Sequence, residues 1–258
     1  MSQFIDKLNQ VSRVMPQTMG FRTAQPAPEK PKILLIASLA GDSADGLADY
    51  VVGADAGLLR IPKLSSGAKA IKEISQAAPD IPWGGWLRDI NKAGIKQMAK
   101  ADCDFLVFPA ANTPLALLQN DEEVGKILEV EASLNEGLLR TVNELPIDAV
   151  LIAGSQEGEH FLTWHHLMLF QHFADLLTKP LLASTPPDVT ANELQALWKA
   201  GVDGVVIEVA VGQPVDRLKE LRQAIDKLAF PSQRKQGKTK ALLPRIDSEM
   251  STVAEDED

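Results

Sequence analysis

The sequence has little cysteine, no long apolar run and no excess of positive charge, and each shortage argues against a class of protein. The single cysteine, Cys103, cannot form an internal disulfide and is typical of a reducing compartment. A net charge of −9 argues against binding nucleic acid or anionic lipid, because both require a basic surface. The most apolar segment, 161–178, contains several polar residues and falls short of the roughly 20 apolar residues that cross a bilayer. We therefore expect a cytoplasmic protein with neither nucleic acid nor membrane as a partner.

The short sequence motifs that indicate well-known catalytic or binding chemistries are also absent. The chain contains no GxGxxG, P-loop, GxSxG, HExxH or CxxC pattern. Three histidines, His165, His166 and His172, share one predicted helix, but their separations of six and seven residues do not suit a single metal ion, which requires i, i+4 pairs. The histidines therefore do not predict a zinc site.

Short apolar runs alternate with amphipathic segments through most of the chain. The runs, which are typical of strands buried on both faces, are 33–38, 56–61, 83–87, 104–110, 127–132, 149–153, 180–184 and 204–209. The amphipathic segments are 45–52, 67–77, 90–100, 114–123, 135–145, 161–177, 190–200 and 215–228. Eight strands and eight helices in strict alternation predict a single (β/α)8 barrel of the TIM type. The alternative is an open doubly wound sheet, which usually has a glycine-rich first turn that is absent here.

The two ends of the chain differ in composition from the predicted barrel. Residues 1–31 predict an appended helix, with apolar residues at helical spacing, followed by a proline-rich linker at 26–31. Residues 231–258 are polar, first basic and then acidic, and predict a flexible tail. The predicted domain organisation is therefore a barrel over 32–230 with an extension at each end.

One stretch of sequence carries a family resemblance. Residues 193–209, ELQALWKAGVDGVVIEV, contain a helix that ends in Ala-Gly and a strand that begins with Asp-Gly. This pattern resembles the last helix–strand pair of small barrel lyases, isomerases and synthases, including the phosphate-binding group with thiamine phosphate synthase and the keto-deoxy-phosphogluconate aldolases. The resemblance implies the barrel fold and a small anionic substrate. That group usually has glycine-rich loops after strands seven and eight, whereas loops 185–188 and 210–213 here contain one glycine, which also counts against a flavin.

Carboxylates on the predicted fifth strand are the strongest candidates for catalysis. Leu128 and Val130 share the face that must be apolar to contact the helices, so Glu129 and Glu131 are predicted to point into the barrel. Glu208 on strand eight is predicted to join them. The cluster could be an acid/base pair, a Mg²⁺ site, or a structural ion network partly neutralised by an arginine.

Polar residues that follow other strands are candidates for substrate binding. Arg60 and Lys63 follow strand two and Arg88 follows strand three, where together they could clamp a carboxylate or phosphate. Ser155 and Gln156 follow strand six and could line the same mouth. On strand three itself, the indoles at 83 and 86 flank a glycine pair that either admits a ligand or accommodates a core plug.

Two functions remain open from the sequence. The first is an enzyme, a lyase or isomerase, that acts on a small carboxylated or phosphorylated metabolite. The second is a non-catalytic barrel that serves as an oligomeric scaffold or regulatory binding module. The segment 161–177 is apolar over more than the one stripe that a barrel helix buries, which predicts a subunit interface and a homo-oligomer.

Overall fold

A computed structural model describes residues 2–12, 32–40, 48–61, 64–88, 97–98, 100–115, 124–153, 161–209 and 214–228. Its eight parallel strands pair in sequence order and close into a barrel. They are β1 Leu34–Ala40, β2 Ala56–Ile61, β3 Trp83–Leu87, β4 Phe105–Pro109, β5 Gly125–Val130, β6 Ala149–Ile152, β7 Leu181–Thr185 and β8 Gly204–Val209. The predicted (β/α)8 barrel is confirmed, and closure leaves no strand edge exposed.

The described helices are α1 Gln3–Ser12, α2 Leu64–Ala77, α3 Glu136–Thr141, α4 Trp164–Leu176, α5 Ala191–Lys199 and α6 Arg217–Lys227. Two 3-10 turns accompany them, Ala48–Val51 and Val142–Glu144. The first of these turns occupies 48–51 of the helix predicted over 45–52, whose residues 45–47 lie outside the described residues. Most of the helices predicted over 90–100 and 114–123 also lies outside them. None of the helices described is long and apolar enough to cross a membrane.

The strands separate two hydrophobic cores by the alternation of their side chains. On β1, Leu34 and Ile36 belong to a core inside the barrel, while Leu35 and Leu39 belong to the larger core under the helices. The same alternation holds on β4, where Phe105 points inward. This pattern explains why the sequence shows continuous apolar runs, since both faces of each strand are buried.

The N-terminal helix closes the lower, N-terminal end of the barrel. Phe4 and Leu8 of α1 are fully buried in the inner core, and the Phe4 ring lies 4.5 Å from that of Phe105. The carboxylate of Asp104 accepts hydrogen bonds from the hydroxyl of Ser2 and from the first amides of the helix at 2.7–2.9 Å. Such bonds satisfy amides that have no partner within the helix. The extension predicted over 1–31 therefore includes a plug that is part of the barrel core.

A second set of aspartates strengthens the same end of the barrel. Each stands one residue before an even-numbered strand, and its carboxylate accepts a hydrogen bond from an amide at or next to the start of the preceding strand. The pairs are Asp55 with Leu35 N at 2.8 Å, Asp148 with Lys126 N at 2.7 Å, and Asp203 with Leu181 N at 2.8 Å. Together with Asp104, these carboxylates give the lower face a fourfold regularity, and the charged acceptor makes each bond stronger than a neutral one.

One of these aspartates also forms an ion pair. Arg222 of α6 contacts the Asp55 carboxylate, and both side chains are largely buried. Burial raises the pKa of Asp55 above its usual value and outweighs the opposite effect of the Arg222 charge and of the Leu35 amide. The proton-binding behaviour of Asp55 therefore differs between the folded and the unfolded chain.

The single cysteine and the glycine pair of β3 both belong to the packing. Burial raises the pKa of the Cys103 thiol to about 12, and the thiol lies 3.2 Å from the carbonyl oxygen of Phe105. A Cβ on Gly84 would lie 2.3 Å from the Phe105 ring, and the buried Trp83 indole lies as close to the corresponding position of Gly57. The glycines of β2 and β3 thus make room for aromatic rings, which favours the core-plug interpretation.

Candidate functional site

Inward-facing positions at the carboxyl ends of the strands form the mouth of the barrel. The alternation that places Ile36 and Phe105 inside the barrel also places a polar or aromatic side chain inward one or two steps further along several strands. These residues are Ser38, Arg60, Trp86, Glu129, Ser184 and Glu208. Active sites of this fold lie at this end, because the loops that follow the strands converge there.

An arginine and a glutamate from opposite sides of β1 meet across the mouth. Arg60 Nη2 on β2 lies 3.1 Å from Glu208 Oε2 on β8, and their side chains are 39% and 45% exposed. The guanidinium also lies over the Trp86 ring, 4.8 Å from its centroid. A pair this exposed contributes only about 0–1 kcal/mol to stability, because water screens its charges.

The chain of contacts continues through the tryptophan to the predicted glutamate. Trp86 Nε1 donates a hydrogen bond of 2.7 Å to Glu129 Oε2. Glu208, Arg60, Trp86 and Glu129 therefore form a continuous row of contacts drawn from β8, β2, β3 and β5. The inward position predicted for Glu129 is confirmed, and Trp86 is a wall of the mouth, whereas Trp83 is not.

Ser38 lies on β1, between the two strands that carry the Arg60–Glu208 ion pair. It is opposite Glu208 in the strand register, while Arg60 lies two residues further up the neighbouring strand from the position opposite Ser38. Ser38 is 0% exposed, and its hydroxyl has no hydrogen-bond partner in the described part of the chain, nor has Arg60 Nε. Two buried donors without acceptors therefore lie on adjacent strands at the mouth.

Ser38 is not among the residues predicted from the sequence. The only signal was a lone hydroxyl at an inward position of an otherwise apolar strand, LLIASLA. Serine is common enough that this signal carries little weight without knowledge of the side chain's partners.

The structure corrects the position of the second predicted glutamate. β5 ends at Val130, two residues before the predicted end, and the chain then turns through a hydrogen bond from Leu134 N to Glu131 O of 3.1 Å. Glu131 is exposed, and its carboxylate accepts a hydrogen bond of 3.2 Å from the Ser133 hydroxyl. The two glutamates predicted as an inward pair are thus separated, with Glu129 in the mouth and Glu131 on the loop above it.

The remaining predicted binding residues are only partly described. Arg88 directly follows β3, is exposed and shares the inward alternation of Trp86. Lys63, Ser155 and Gln156 lie outside the described residues, so their placement at the mouth stays a prediction.

A metal site is not assembled by the residues that the structure describes. Among them, no group of three or more histidine, cysteine, aspartate or glutamate side chains is placed to hold an ion. Glu129 is bonded to an indole and Glu208 to a guanidinium, so neither carboxylate faces the other. His166 is instead part of the start of α4, where its ring lies 3.1 Å from the Thr163 amide. The Mg²⁺ interpretation of the acidic cluster therefore has no support from this geometry.

Solved structures share this fold, whereas the comparisons of sequence found no match. No protein-family model and no curated protein sequence matches the chain. A variant of the tryptophan synthase alpha-subunit from the hyperthermophile Pyrococcus furiosus superposes with a TM-score of 0.59 at 12% identity, covering 76% of this chain and 97% of that one. A 3-hexulose-6-phosphate synthase gives 0.58 at 17% identity, covering 74% and 99%. The thiamine phosphate pyrophosphorylase of Pyrococcus furiosus gives 0.55 at 15% identity, covering 75% and 96%.

These likenesses establish the class of the protein. The chain is a (β/α)8 TIM barrel, and the resemblance of residues 193–209 to small barrel synthases is confirmed as a likeness of fold. At such low identities the comparisons carry no residue roles to this chain.

Proposed function

We propose that the chain is a TIM-barrel enzyme, a lyase or isomerase, that acts on a small carboxylated or phosphorylated metabolite at the mouth. The observation that carries the proposal is the pair of buried donors, Ser38 Oγ and Arg60 Nε, which lack an acceptor among the described residues. Leaving a buried donor without an acceptor costs about 1–3 kcal/mol, so such groups call for an explanation. An anionic ligand with several oxygens would satisfy both donors.

The ligand's anion takes the place of Glu208 as the partner of Arg60. The exposed ion pair contributes little to stability, so exchanging one carboxylate for another is nearly neutral in free energy. Arginine holds carboxylates and phosphates through two parallel hydrogen bonds, and its weak hydration suits a partly buried site. Exchange also uncovers Ser38, whose hydroxyl then donates to a second oxygen of the ligand.

The two glutamates supply the acid and base. Glu208, displaced from Arg60, is a carboxylate beside the bound anion, and Glu129 lies across the Trp86 indole. Glu208 removes a proton from the carbon next to the ligand's carboxylate, and Arg60 stabilises the negative charge that develops on its oxygens. Return of the proton to another atom completes an isomerisation, and departure of a neighbouring group completes a lyase reaction. Lys63, Arg88, Ser155 and Gln156 stay candidates for substrate binding, and Glu131 stays a candidate for catalysis.

The comparisons support the choice of substrate class only by analogy. Two of the three structural neighbours are named for phosphorylated compounds. The sequence lacks the glycine-rich loops with which small phosphate-binding barrels usually hold phosphate. The proposed anion-binding site is therefore the Ser38–Arg60 donor pair. A cytoplasmic location, and the absence of nucleic acid and membrane as partners, remain predictions from charge and composition.

The alternative is a non-catalytic barrel that acts as an oligomeric scaffold or regulatory binding module. The observation that favours it is a set of exposed apolar side chains near the start of α4, Phe161, Trp164 and Met168. Both functions allow oligomers. Ligand binding at the mouth separates the enzyme from a scaffold, and turnover of the bound ligand separates it from a regulatory binding module.

A thermal-shift experiment on the full chain tests the proposal. The probes are inorganic phosphate, a panel of small carboxylates and phosphorylated metabolites, and divalent cations, with wild type beside Ser38→Ala and Glu208→Gln. A bound ligand raises the melting temperature. We expect at least one anion to raise it, Ser38→Ala to lose most of that shift, and Glu208→Gln to tighten anion binding up to about fivefold because the competing carboxylate is neutral.

The matched control is Glu73→Gln on α2, which also removes a carboxylate from an exposed ion pair but lies away from the mouth. It should leave the response to every probe as in wild type. The proposal would be refuted, and the scaffold alternative favoured, by either of two results. One is a rise in melting temperature that is the same in wild type, Ser38→Ala and Glu208→Gln, and the other is no rise with any probe.

A further inference from the structure

The start of α4 combines an apolar ridge with an apolar groove on one face of the barrel. Trp164 is 83% exposed, while Phe161 and Met168 are each 69% exposed. Trp164 and Met168 are four residues apart and therefore lie on one side of the helix. Beside them, a groove of about 410 Å³ opens between α4 and α5, with Leu162, Leu167 and Leu197 among its lining residues.

We propose that this face, defined as Phe161, Trp164, Met168 and the groove beside them, is the interface with a second copy of the chain. Because ridge and groove lie side by side, a two-fold axis between the copies inserts each Trp164 into the groove of the other molecule. An interface of this kind is self-complementary and closed, so assembly stops at the dimer.

The exposed apolar area agrees with what a stable dimer needs. Large side chains of this kind offer about 150–250 Å² each, so the exposed fractions of the three ridge residues sum to roughly 450 Å². A standard interface buries about 800 Å² per partner, of which about 56–65% is apolar, or roughly 450–520 Å². The ridge thus supplies the apolar core of one such interface, and an apolar patch of this size on a protein surface is often functional.

The distribution of charge also favours a second copy. Two molecules that each carry a net charge of −9 repel one another over most of their surfaces. α4, WHHLMLFQHFADL, contains one acidic residue and no lysine or arginine. That residue, Asp175, is eleven positions from Trp164, or roughly 16 Å along the helix. The groove contains one carboxylate, Glu193, which accepts hydrogen bonds of 2.7 Å from the Thr190 amide and hydroxyl. The ridge therefore carries no carboxylate, and the one in the groove is already bonded within its own molecule.

A hydrogen-bonded cap at the start of α4 holds the ridge in place. Thr163 accepts a hydrogen bond from the His166 amide, and the His166 ring accepts one from the Thr163 amide. This reciprocal cap fixes the direction in which the chain enters the helix. His166, Phe170 and Phe173 anchor the opposite side of the helix in the core, so Trp164 is presented by a rigid element.

Light scattering of the full chain during size-exclusion chromatography tests the proposal. Wild type is expected at twice the chain mass of 28.0 kDa, and Trp164→Glu at the mass of one chain. Buried tryptophans are frequent hot spots that contribute 2 kcal/mol or more, so the loss of one should raise the dissociation constant by roughly 30-fold or more, and the symmetric interface loses two. Val52→Glu, which places the same charge at an exposed apolar residue elsewhere, is the matched control and should stay dimeric.

Circular dichroism melting establishes that each variant is folded, and Met168→Lys replaces Trp164→Glu if the latter is not. A wild-type chain that is monomeric up to about 100 µM would overturn the proposal and leave the face to residues 229–258 or to a different protein. A dimer that survives both substitutions would overturn it as well, since the interface would then lie on another face.

Discussion

The two ends of the barrel satisfy their polar groups in opposite ways. At the lower end, the carboxylates of Asp55, Asp104, Asp148 and Asp203 each accept backbone amides, and α1 fills the opening with apolar side chains. At the mouth, Ser38 Oγ and Arg60 Nε are buried without hydrogen-bond partners in the described part of the chain. The ion pair between Arg60 and Glu208 is about half exposed.

This difference separates stability from function within one fold. A polar group that is fully bonded inside the protein contributes to folding and has no capacity left for a ligand. A donor that is left without an acceptor costs folding free energy, and a ligand that binds it recovers that cost. Substitutions at the lower end should therefore weaken the fold and spare binding, whereas substitutions at the mouth should do the reverse.

The largest effect on stability is expected from α1, the helix that fills the lower end of the barrel. Phe4→Ala removes a fully buried ring from the inner core and should lower the free energy of unfolding by about 3–5 kcal/mol, as measured by urea denaturation. Val11→Ala, on the same helix but only half buried, should cost less than about 1 kcal/mol. If Phe4→Ala costs no more than Val11→Ala, α1 is not part of the barrel core.

An intermediate effect is expected from the pH dependence of Asp55. Because its pKa is raised in the folded state, the folded chain binds the proton more tightly than the unfolded chain, whose value is about 3.9. The stabilising contribution is present below that value and is lost as pH rises through the folded pKa, with a slope of at most about 1.4 kcal/mol per pH unit.

Urea denaturation between about pH 3.5 and 6 measures this slope. Asp55→Asn should remove it, whereas Asp226→Asn, an exposed carboxylate on the same helix as Arg222, should leave it unchanged. A slope that persists in Asp55→Asn must come from another group, and the account of the buried ion pair would then be wrong.

The smallest effect, and the one of opposite sign, is expected at the mouth. Ser38→Ala removes a buried hydroxyl that has no described partner, so the free energy of unfolding should stay the same or rise by up to about 1 kcal/mol. The anion-induced rise in melting temperature should nevertheless be lost. A clear loss of stability would mean that Ser38 is bonded in the fold, and the contrast between the two ends would fail at this residue.

The eight strands were predictable because their residues repeat one simple pattern. Predicted and observed bounds agree for β2, β3 and β8, since a strand buried on both faces requires an unbroken apolar run. The predicted end of β5 was wrong by two residues. Glu131 continues the alternation of apolar and polar residues in the sequence, but the backbone has already turned there. Alternation constrains a side chain only as long as the strand continues.

A regularity in the sequence was overlooked at the lower end. An aspartate precedes each even-numbered strand, as in Asp148-Ala149 and Asp203-Gly204. Three of the four bind an amide of the preceding strand, and Asp104 binds the first amides of α1 instead. The repeat carries no apolar signature, so hydrophobic patterning does not reveal it. It becomes interpretable only when the fold is known, because the bound amides lie 20 or 22 residues earlier in the chain for Asp55, Asp148 and Asp203, and 100 or 101 residues earlier for Asp104.

The sequence by itself determined the barrel, the inward direction of Glu129 and the surplus apolar surface of α4, because all three follow from local periodicity and burial. Only the tertiary structure decided that Arg60 meets Glu208, that Trp86 meets Glu129 and that Ser38 lies opposite Glu208. These contacts join strands that are far apart in sequence and are brought together by closure of the sheet. The partners of a polar side chain therefore depend on closure, and they decide whether it stabilises the fold or is available to a ligand.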